Sequence, residues 1–498
     1  IEAELEELDY NDPKDKRKID SREQKISNIR AGVFTTKKEQ DLIRPINLGS
    51  PVDLPALMYS DSGFKFPVIK NNESGKPSTD EDTLVELRLT VKDPESPKAI
   101  FLDKLLELRG LQKMYTTYIE GWHEKVQDDS RLHGRYNIHG TDSNRFSSAD
   151  PNMQQIPKTS VDPNIKKQLV APPGYLYMAF DYSQAELRMM AHLSGDETYL
   201  EAFAKGVDPH LGIAAAKYGV SIEEASKAYE DETHPDYKLW KVRRKQAKQI
   251  AFGLIYGIGN KLLAVKLSDP KAGIIVTPEE AAKEMEVFFG QHPKIRKFKE
   301  KQEKFLRKHG YYTQLFGTKR RLPQIYSNDK QEVAYAIRLG LNFPCQGAAA
   351  NMTNFGAILV YWLMRQGKLP MMKEVCTVHD AVYMYSKPQD INTWTVYTIW
   401  NILRNPSTKR YFGFQVDDVD MDMDFTIGRT MAEELPFIPG YDYNKMLQPD
   451  FSVEEYMAEH KKYKHIHIKQ FKERFNKQMK DYEKDFECLG NEAGAWRG

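Results

Sequence analysis

Two aspartates stand where short apolar runs stop. Asp181 follows residues 175–180, which read as a buried strand. Asp380 sits in a tight turn with His379, between the strand-like runs 375–378 and 382–385. A carboxylate at the end of a rigid strand can hold a divalent ion in fixed geometry. Two such carboxylates could hold two Mg²⁺ ions about 3.5–4 Å apart, as in phosphoryl-transfer sites. Mg²⁺ takes oxygen ligands and leaves room for substrate phosphates. Each aspartate also has a plain explanation: Asp181 could cap the next helix, and Asp380 favours a turn. Spacing alone does not bring them together. Ser183-Gln184-Ala185-Glu186 fits the capping box S-x-x-E, which would account for Glu186 structurally.

Residues 241–257, KVRRKQAKQIAFGLIYG, carry five cations and no acid between Lys241 and Lys248. Arg244, Lys248, Phe252 and Tyr256 recur every four residues. On a helix they form one slowly winding stripe, neighbours about 5–6 Å apart at Cβ. Cations suit phosphates and aromatic faces suit a base or sugar, so the stripe suits a nucleoside triphosphate. Gly253 and Gly257 remove bulk beside it. An amphipathic helix with a solvated basic end is the plainer alternative. The unbroken positive charge favours the functional reading.

Together these segments resemble a known family. Asp181-Tyr-Ser-Gln-Ala-Glu-Leu-Arg188 resembles motif A of the family A (DNA polymerase I-like) DNA polymerases. Arg244-x3-Lys248-x7-Tyr256-Gly257 resembles their motif B, and Val378-His379-Asp380 their motif C, in the same order. Ile46-Asn-Leu-Gly-Ser-Pro51 and Gly75-Lys-Pro-Ser-Thr-Asp80 resemble the thumb. Arg145, Ser147-Ser148 and Pro151-Asn-Met-Gln154 resemble the primer–template loop. Gly206-Val-Asp-Pro-His210 and Arg338-x3-Asn342-x3-Gln346-Gly347 match as well, and the likeness covers about residues 46–434.

The resemblance implies a template-directed DNA polymerase that adds dNTPs to a primer 3′-hydroxyl with two Mg²⁺ ions, Mn²⁺ being a substitute. Asp181, Asp380 and the Tyr182 backbone carbonyl would hold metal. Arg244, Lys248 and His210 would grip the triphosphate, and Lys248 would protonate pyrophosphate. A lysine among cations has a lowered pKa, which suits that task. Gln184, Phe252 and Tyr256 would complete the dNTP site. Glu186 would fill the space of a ribose 2′-hydroxyl and hydrogen-bond Tyr256. Phe252 would disfavour dideoxynucleotides. Arg145, Asn152, Gln154, Arg338, Asn342, Gln346 and His379 would contact primer–template. Minor-groove acceptors common to all correct pairs let such donors test pair geometry without reading sequence.

The sequence departs from the family pattern in places. Ala381 stands where glutamate usually follows the motif C aspartate, and Asn144 where glycine usually precedes the arginine. Ala251 and Ile337 replace usual polar residues. The stretch between His210 and Arg244 is longer than usual, which implies an added fingers element. No proofreading exonuclease is legible, so a 3′–5′ exonuclease is expected upstream or on a separate chain, beside other replication proteins. A single-subunit RNA polymerase is one alternative, against which Glu186 argues. A primer–template-binding module that has lost chemistry is another, against which the retained Asp181, Asp380, Arg244 and Lys248 argue. The divergent motifs and extra tail resemble a phage-type enzyme.

The elements that must position these residues form an α+β chain. The resemblance implies a right hand with an antiparallel-sheet palm, helical fingers and helical thumb. Its segments are a leader or stub (1–45), thumb (46–137), first part of the palm (138–206), fingers (207–337), second part of the palm (338–434) and a charged helical extension (435–498). Helices are expected over 83–89, 100–119, much of 184–306, and 333–363 with a break at Pro344. Residues 131–157 read as an irregular surface loop. Residues 414–425 read as a strand with alternating aspartates, and 453–486 as a solvated helix.

Composition sets the outer limits. The 498 residues suggest about three domains. Hydrophobic residues make up 40% and charged residues 29%, which describes a globular chain. Lys+Arg at 72 against Asp+Glu at 71 leaves a net charge of +1, so any nucleic-acid footprint must be local. No apolar run is long enough to span a bilayer. Three cysteines without CxxC spacing argue against a disulfide scaffold or a zinc site, and fit a reducing compartment. A cytoplasmic (or host-cytoplasmic) monomer is expected. Beginning at Ile1 rather than Met, the chain reads as a fragment or processed product.

Overall fold

The computed structural model describes residues 46–463, apart from 73, 269–274 and 379, together with residues 16, 18–21 and 23. The chain divides into two compact units, Ile1–Arg109 and Gly110–Gly498. The expected 46–137 segment straddles that division.

The first unit contains α1 (Asp53–Tyr59), α2 (Glu81–Thr90) and the start of α3 (Pro97–Met114). Asp80 starts α2 by accepting from the Thr83 backbone N–H. Leu54, Met58, Leu84, Leu87, Leu102 and Leu105 recur at helical spacing and bury together. The expected helix over 100–119 is α-helical only to Met114; a π-helix runs from Tyr115 to Glu120. Ile19 is buried.

The second unit opens with a hairpin, β1 (Arg135–Asn137) and β2 (Ser147–Ala149), inside the segment expected to be irregular. β3 (Leu176–Tyr182) leads into α4 (Ala185–Ser194). Next come α5 (Pro209–Tyr218), α6 (Ile222–Glu230) and α7 (Tyr237–Ile255), so that α6 lies between His210 and Arg244. After α8 (Pro293–His309) a second hairpin, β4 (Tyr311–Thr313) and β5 (Lys319–Arg321), leads to α9 (Lys330–Arg365). The rest is β6 (Lys373–Val378), β7 (Ala381–Ser386), α10 (Thr393–Arg404), β8 (Met423–Gly428), β9 (Leu435–Pro436) and α11 (Val453–Tyr463).

These strands form one antiparallel sheet in the order β6-β7-β3-β8-β9. Leu176, Met178 and Phe180 point to one face, in a core shared with Val382, Phe425 and residues of α9 and α10. Tyr177 and Ala179 point to the other, with Cys376, Tyr383, Trp122 and Met153. Both faces are covered, which is why residues 176–180 read as one continuous apolar run.

Four expectations need correction. Asp181 does not end its strand, which continues through Tyr182. α9 is unbroken at Pro344. An interior proline costs about 3 kcal/mol, and the buried residues along α9 outweigh that. The strand expected over 414–425 begins only at Met423, because the stretch before it serves as hydrogen-bond acceptor: the Asp420 carbonyl accepts from Arg188, and its carboxylate from Arg404. The 435–463 part of the extension is no solvated appendage. It adds β9 to the sheet and buries Tyr443 and Tyr456, whose hydroxyl reaches the Pro436 carbonyl at 2.6 Å. Residues 464–486 of that expected helix lie outside the described residues.

Candidate active site

The sheet itself brings the acids together. Asp181 pairs with Ala381 of β7 on one side and with Asp424 of β8 on the other. Residues directly opposite on antiparallel strands project from the same face. Asp380 stands in the turn just before β7. Partial desolvation at the sheet end pushes the Asp181 carboxyl, which still reaches solvent, up to about 6; the Asp380 and Asp424 charges add to the rise, and Lys158 and Lys166 oppose it. Asp424 is also raised, by burial and Asp422 against Arg188. Two aspartates 199 positions apart by number thus sense each other's charge (380 − 181).

The capping box does not form. The residue before α4 is Gln184 in the left-handed region (φ 59°), with no side-chain cap. Glu186 instead receives the Arg145 guanidinium, which also lies 3.3 Å from Asp380. Burial raises the Glu186 pKa, with Arg145 opposing and Gln346 hydrogen-bonding to it. The expected Tyr256 partner is not among the hydrogen bonds described. Arg145 is delivered by a turn in which Asn144 has φ 62° and donates to Thr318 Oγ1 at 2.8 Å. That left-handed conformation explains a glycine preference there, and asparagine is the residue that tolerates it next best.

The rest of this loop is pinned to β6. Tyr136 donates to the Thr377 carbonyl at 2.8 Å, and Gln154 Nε2 to the same oxygen at 2.7 Å. Asn152 caps the short 3₁₀ turn through the Gln154 N–H. Asn152 and Gln154 thus serve the loop's own architecture. His379 lies outside the described residues.

Helix α7 holds the cationic stripe. Lys248 Nζ lies 5.5 Å from the Phe252 ring centre, and the Phe252 and Tyr256 rings are 5.9 Å apart. Tyr256 is the residue just past the helix end. Lys245, Lys248, Phe252, Tyr256 and Arg338 line a cavity of ≈ 620 Å³. Arg338 also packs beside Gly257, where an added Cβ would sit 3.4 Å from its Cγ. The Lys248 pKa is lowered, first by burial and then by Lys158 and Arg244.

Asp208 is the residue sequence reasoning missed here. It holds Arg244 by two hydrogen bonds, 2.6 and 3.0 Å, and also caps α5 through Leu211. The signal was present in Asp208-Pro209, a helix start. His210 follows it, fully buried, and among the described residues neither ring nitrogen has a hydrogen-bond partner. Burial pushes its pKa down to about 4, with Asp208 opposing and Arg244 and Lys248 assisting. Lys299, also missed, donates to the Leu254 carbonyl at the end of α7. On α9, Gln346 reaches Glu186, while the buried Asn342 Oδ1 has no partner among the described residues. Ala251 is buried and Ile337 packs against the Leu306 cluster, so apolar residues fit at both positions.

Among the described residues, no three His, Cys, Asp or Glu side chains form a ready-made metal cage. Mg²⁺ does not need one. It binds through one or two carboxylates plus substrate phosphates. The all-oxygen donor set of Asp181 and Asp380, on a strand and its neighbouring turn, fits that ion.

The sequence pattern of DNA polymerase family A matches residues 16–433. DNA polymerase I of Pseudomonas aeruginosa is 33% identical over 341 residues, which cover 68% of this chain and 34% of that protein. Thermostable DNA polymerase I of Thermus aquaticus is 31% identical over 364 residues, covering 72% of this chain and 39% of that protein. The POL domain of Pol1 from M. smegmatis, solved in complex with DNA primer–template and dNTP, superposes with a TM-score of 0.63 at 28% identity, covering 83% of this chain and 65% of that one. The chain thus spans about a third of the length of the curated relatives it matches. These relatives are bacterial, and nothing among them supports a phage-type origin.

Proposed function

The chain belongs to DNA polymerase family A, and from that premise we propose that it is a template-directed DNA polymerase extending a primer with dNTPs. The observation that carries this reading is the meeting of Asp181 and Asp380 at one end of the sheet, with Arg145 and Glu186 beside them. Thumb, palm and fingers are assigned to 46–137, 138–206 with 338–434, and 207–337.

Asp181, Asp380 and the Tyr182 carbonyl would hold Mg²⁺. When bound, the metal supplies Lewis-acid activation of the primer hydroxyl and neutralisation of the phosphates. The protein's own contribution is positioning and charge. Lys248, its pKa lowered, donates a proton to the leaving pyrophosphate. Arg244 and His210 take the triphosphate, with Gln184 beside them. Phe252 and Tyr256 offer their faces to base and sugar. Glu186, held by Arg145, occupies the volume of a 2′-hydroxyl. Arg338, Asn342 and Gln346 read the primer-terminal pair through minor-groove acceptors, with Asn152, Gln154 and His379 along the template path. The working unit is a monomer acting on DNA in the cytoplasm, with a 3′–5′ exonuclease upstream or on a separate chain. Among the described residues no helix is long and apolar enough to cross a membrane.

The test is primer extension on a 5′-overhang duplex with Mg²⁺, comparing dNTPs with rNTPs, beside Asp181→Ala and Asp380→Ala. Extension with dNTPs alone, lost in both variants, is the expected result. Efficient extension with rNTPs would turn the assignment to an RNA polymerase. Tight primer–template binding without extension in Mg²⁺ or Mn²⁺ would turn it to a binding module. Phe252→Tyr is expected to relax discrimination against dideoxynucleotides; equal incorporation by both forms would remove Phe252 from the sugar site.

A further inference from the structure

The open end of the sheet carries one more acid than the proposed reaction uses. Asp424 stands directly opposite Asp181 on β8, as Ala381 does on β7. Such pairs hold their Cβ atoms about 4.5–5.5 Å apart on one face, and like charges directly opposite are destabilising. Both members here are aspartates, and both side chains reach solvent.

Three of the nearby cations are engaged elsewhere, and the fourth, Lys158, opposes the Asp181 charge without an ion pair to either aspartate among the described residues. Arg188 donates to the Ser183 and Asp420 carbonyls and approaches Asp422 at 4.0 Å. Lys166 Nζ is 2.9 Å from Glu434, and Arg145 lies on Glu186 and Asp380. Among the described residues the Asp424 carboxylate makes no hydrogen bond or ion pair. A like-charge pair on adjacent strands, open to solvent and without a committed counter-ion, gains stability by receiving a cation. The opposite flank cannot supply the missing oxygen, because Ala381 offers only a methyl group.

We propose that Asp424 is a positioning residue for the metal held by Asp181: from the neighbouring strand its carboxylate accepts hydrogen bonds from the ion's water shell. The third carboxylate of this site therefore stands on β8 rather than beside Asp380. Mg²⁺ keeps several of its waters when bound, so an acid one strand away is within reach of the ion's shell. Outer partners of this kind are typically worth about 10–100-fold in metal affinity. The inference rests on the metal-dependent reading proposed above.

The experiment measures Mn²⁺ binding by EPR of the free ion, with the whole chain bound to a 3′-dideoxy-terminated primer–template and the next dNTP, so that no reaction occurs. Asp424→Asn is expected to weaken Mn²⁺ about ten-fold or more. Adding Ala381→Glu to Asp424→Asn is expected to recover most of that loss, since it returns a carboxylate to the other flank of Asp181. Metal-free melting of Asp424→Asn should match or exceed the parent, and Asp424→Ser serves if the asparagine variant does not fold. Unchanged Mn²⁺ affinity in Asp424→Asn, with a clear loss in Asp181→Ala, overturns the role of Asp424 alone. Unchanged affinity in Asp181→Ala as well overturns the metal-dependent reading beneath it. A loss in Asp424→Asn that Ala381→Glu does not recover, accompanied by a lower melting temperature, marks Asp424 as merely structural and overturns the proposal.

Discussion

The sheet end and helix α7 carry opposite charges and treat them in opposite ways. At the sheet end, Asp181 on β3 faces Asp424 on β8 and senses Asp380 from the turn, so acids oppose acids. On α7, one cation of the stripe already has its acid, because Asp208 holds Arg244 in a two-bonded grip. The first region sets acid against acid and, on the proposed reading, would be completed by an incoming cation. The second has its arginine oriented in advance, and a phosphate must compete with Asp208 for it. Pre-orientation lowers the ordering cost of binding; unrelieved repulsion raises the gain when a cation arrives.

Breaking the sheet end should have the largest effect. Metal-held charge stabilisation is worth several kcal/mol, and each 1.36 kcal/mol is ten-fold in rate. Asp181→Ala or Asp380→Ala should therefore lower single-turnover extension by about a thousand-fold or more, with melting little changed. An extension rate near that of the parent would remove these residues from the chemistry.

The next effect belongs to His210. Its folded pKa, about 4, lies below the ordinary histidine value of 6.5. The unfolded chain therefore binds the proton first as pH falls. Stability is full above pH 6.5 and is lost progressively as pH drops toward 4. At 1.36 kcal/mol per unit, the loss approaches about 3 kcal/mol. Urea unfolding from pH 7 to pH 4 should show this slope, and His210→Gln should flatten it. An identical slope in both would assign the effect to other groups.

Loosening the α7 grip sharpens the comparison further. Asp208→Asn keeps the helix-capping oxygen but removes the charge on Arg244. Hydrogen bonds to charged groups contribute about 1.5–3 kcal/mol, so denaturant unfolding should show a loss of about 2 kcal/mol. The dNTP KM should change more than the maximal rate. A change confined to the maximal rate would argue that Arg244 does not orient the nucleotide.

Relieving repulsion at the sheet end gives the smallest effect, and its sign is opposite. Asp181→Asn removes a like-charge cross-strand pair, worth under about 1 kcal/mol. It should raise the metal-free melting temperature at pH 8. The gain should vanish at pH 4, where the raised pKa of Asp181 leaves the parent carboxyl already protonated in the folded state. A lower melting temperature at pH 8 would show that Asp181 is paired with a cation there.

Much of the site was legible as local pattern. The apolar run before Asp181, the hairpin around Asp380 and the four-residue spacing along α7 all follow from periodicity, and all three elements form. The partners were not legible. Asp208 looked like the start of a helix, and it is one, yet the same carboxylate also binds Arg244. Glu186 matched a capping box, but its carboxylate is drawn to Arg145 and its helix starts without a side-chain cap. Pro344 signalled a break that packing along α9 overrides. The charged character of the 435–498 extension concealed Tyr443 and Tyr456, which are buried.

The sequence by itself determined which groups are available for chemistry and which short elements carry them. Those are properties of residue type and of the periods of strand and helix, and they act over a few neighbours. Only the tertiary structure decided which charges meet. Asp424 faces Asp181 because β8 lies beside β3 in one particular register, and a slip of a single residue would turn it to the other face. That register is set by the packing of two cores on either side of the sheet, a sum over distant residues that no local pattern contains.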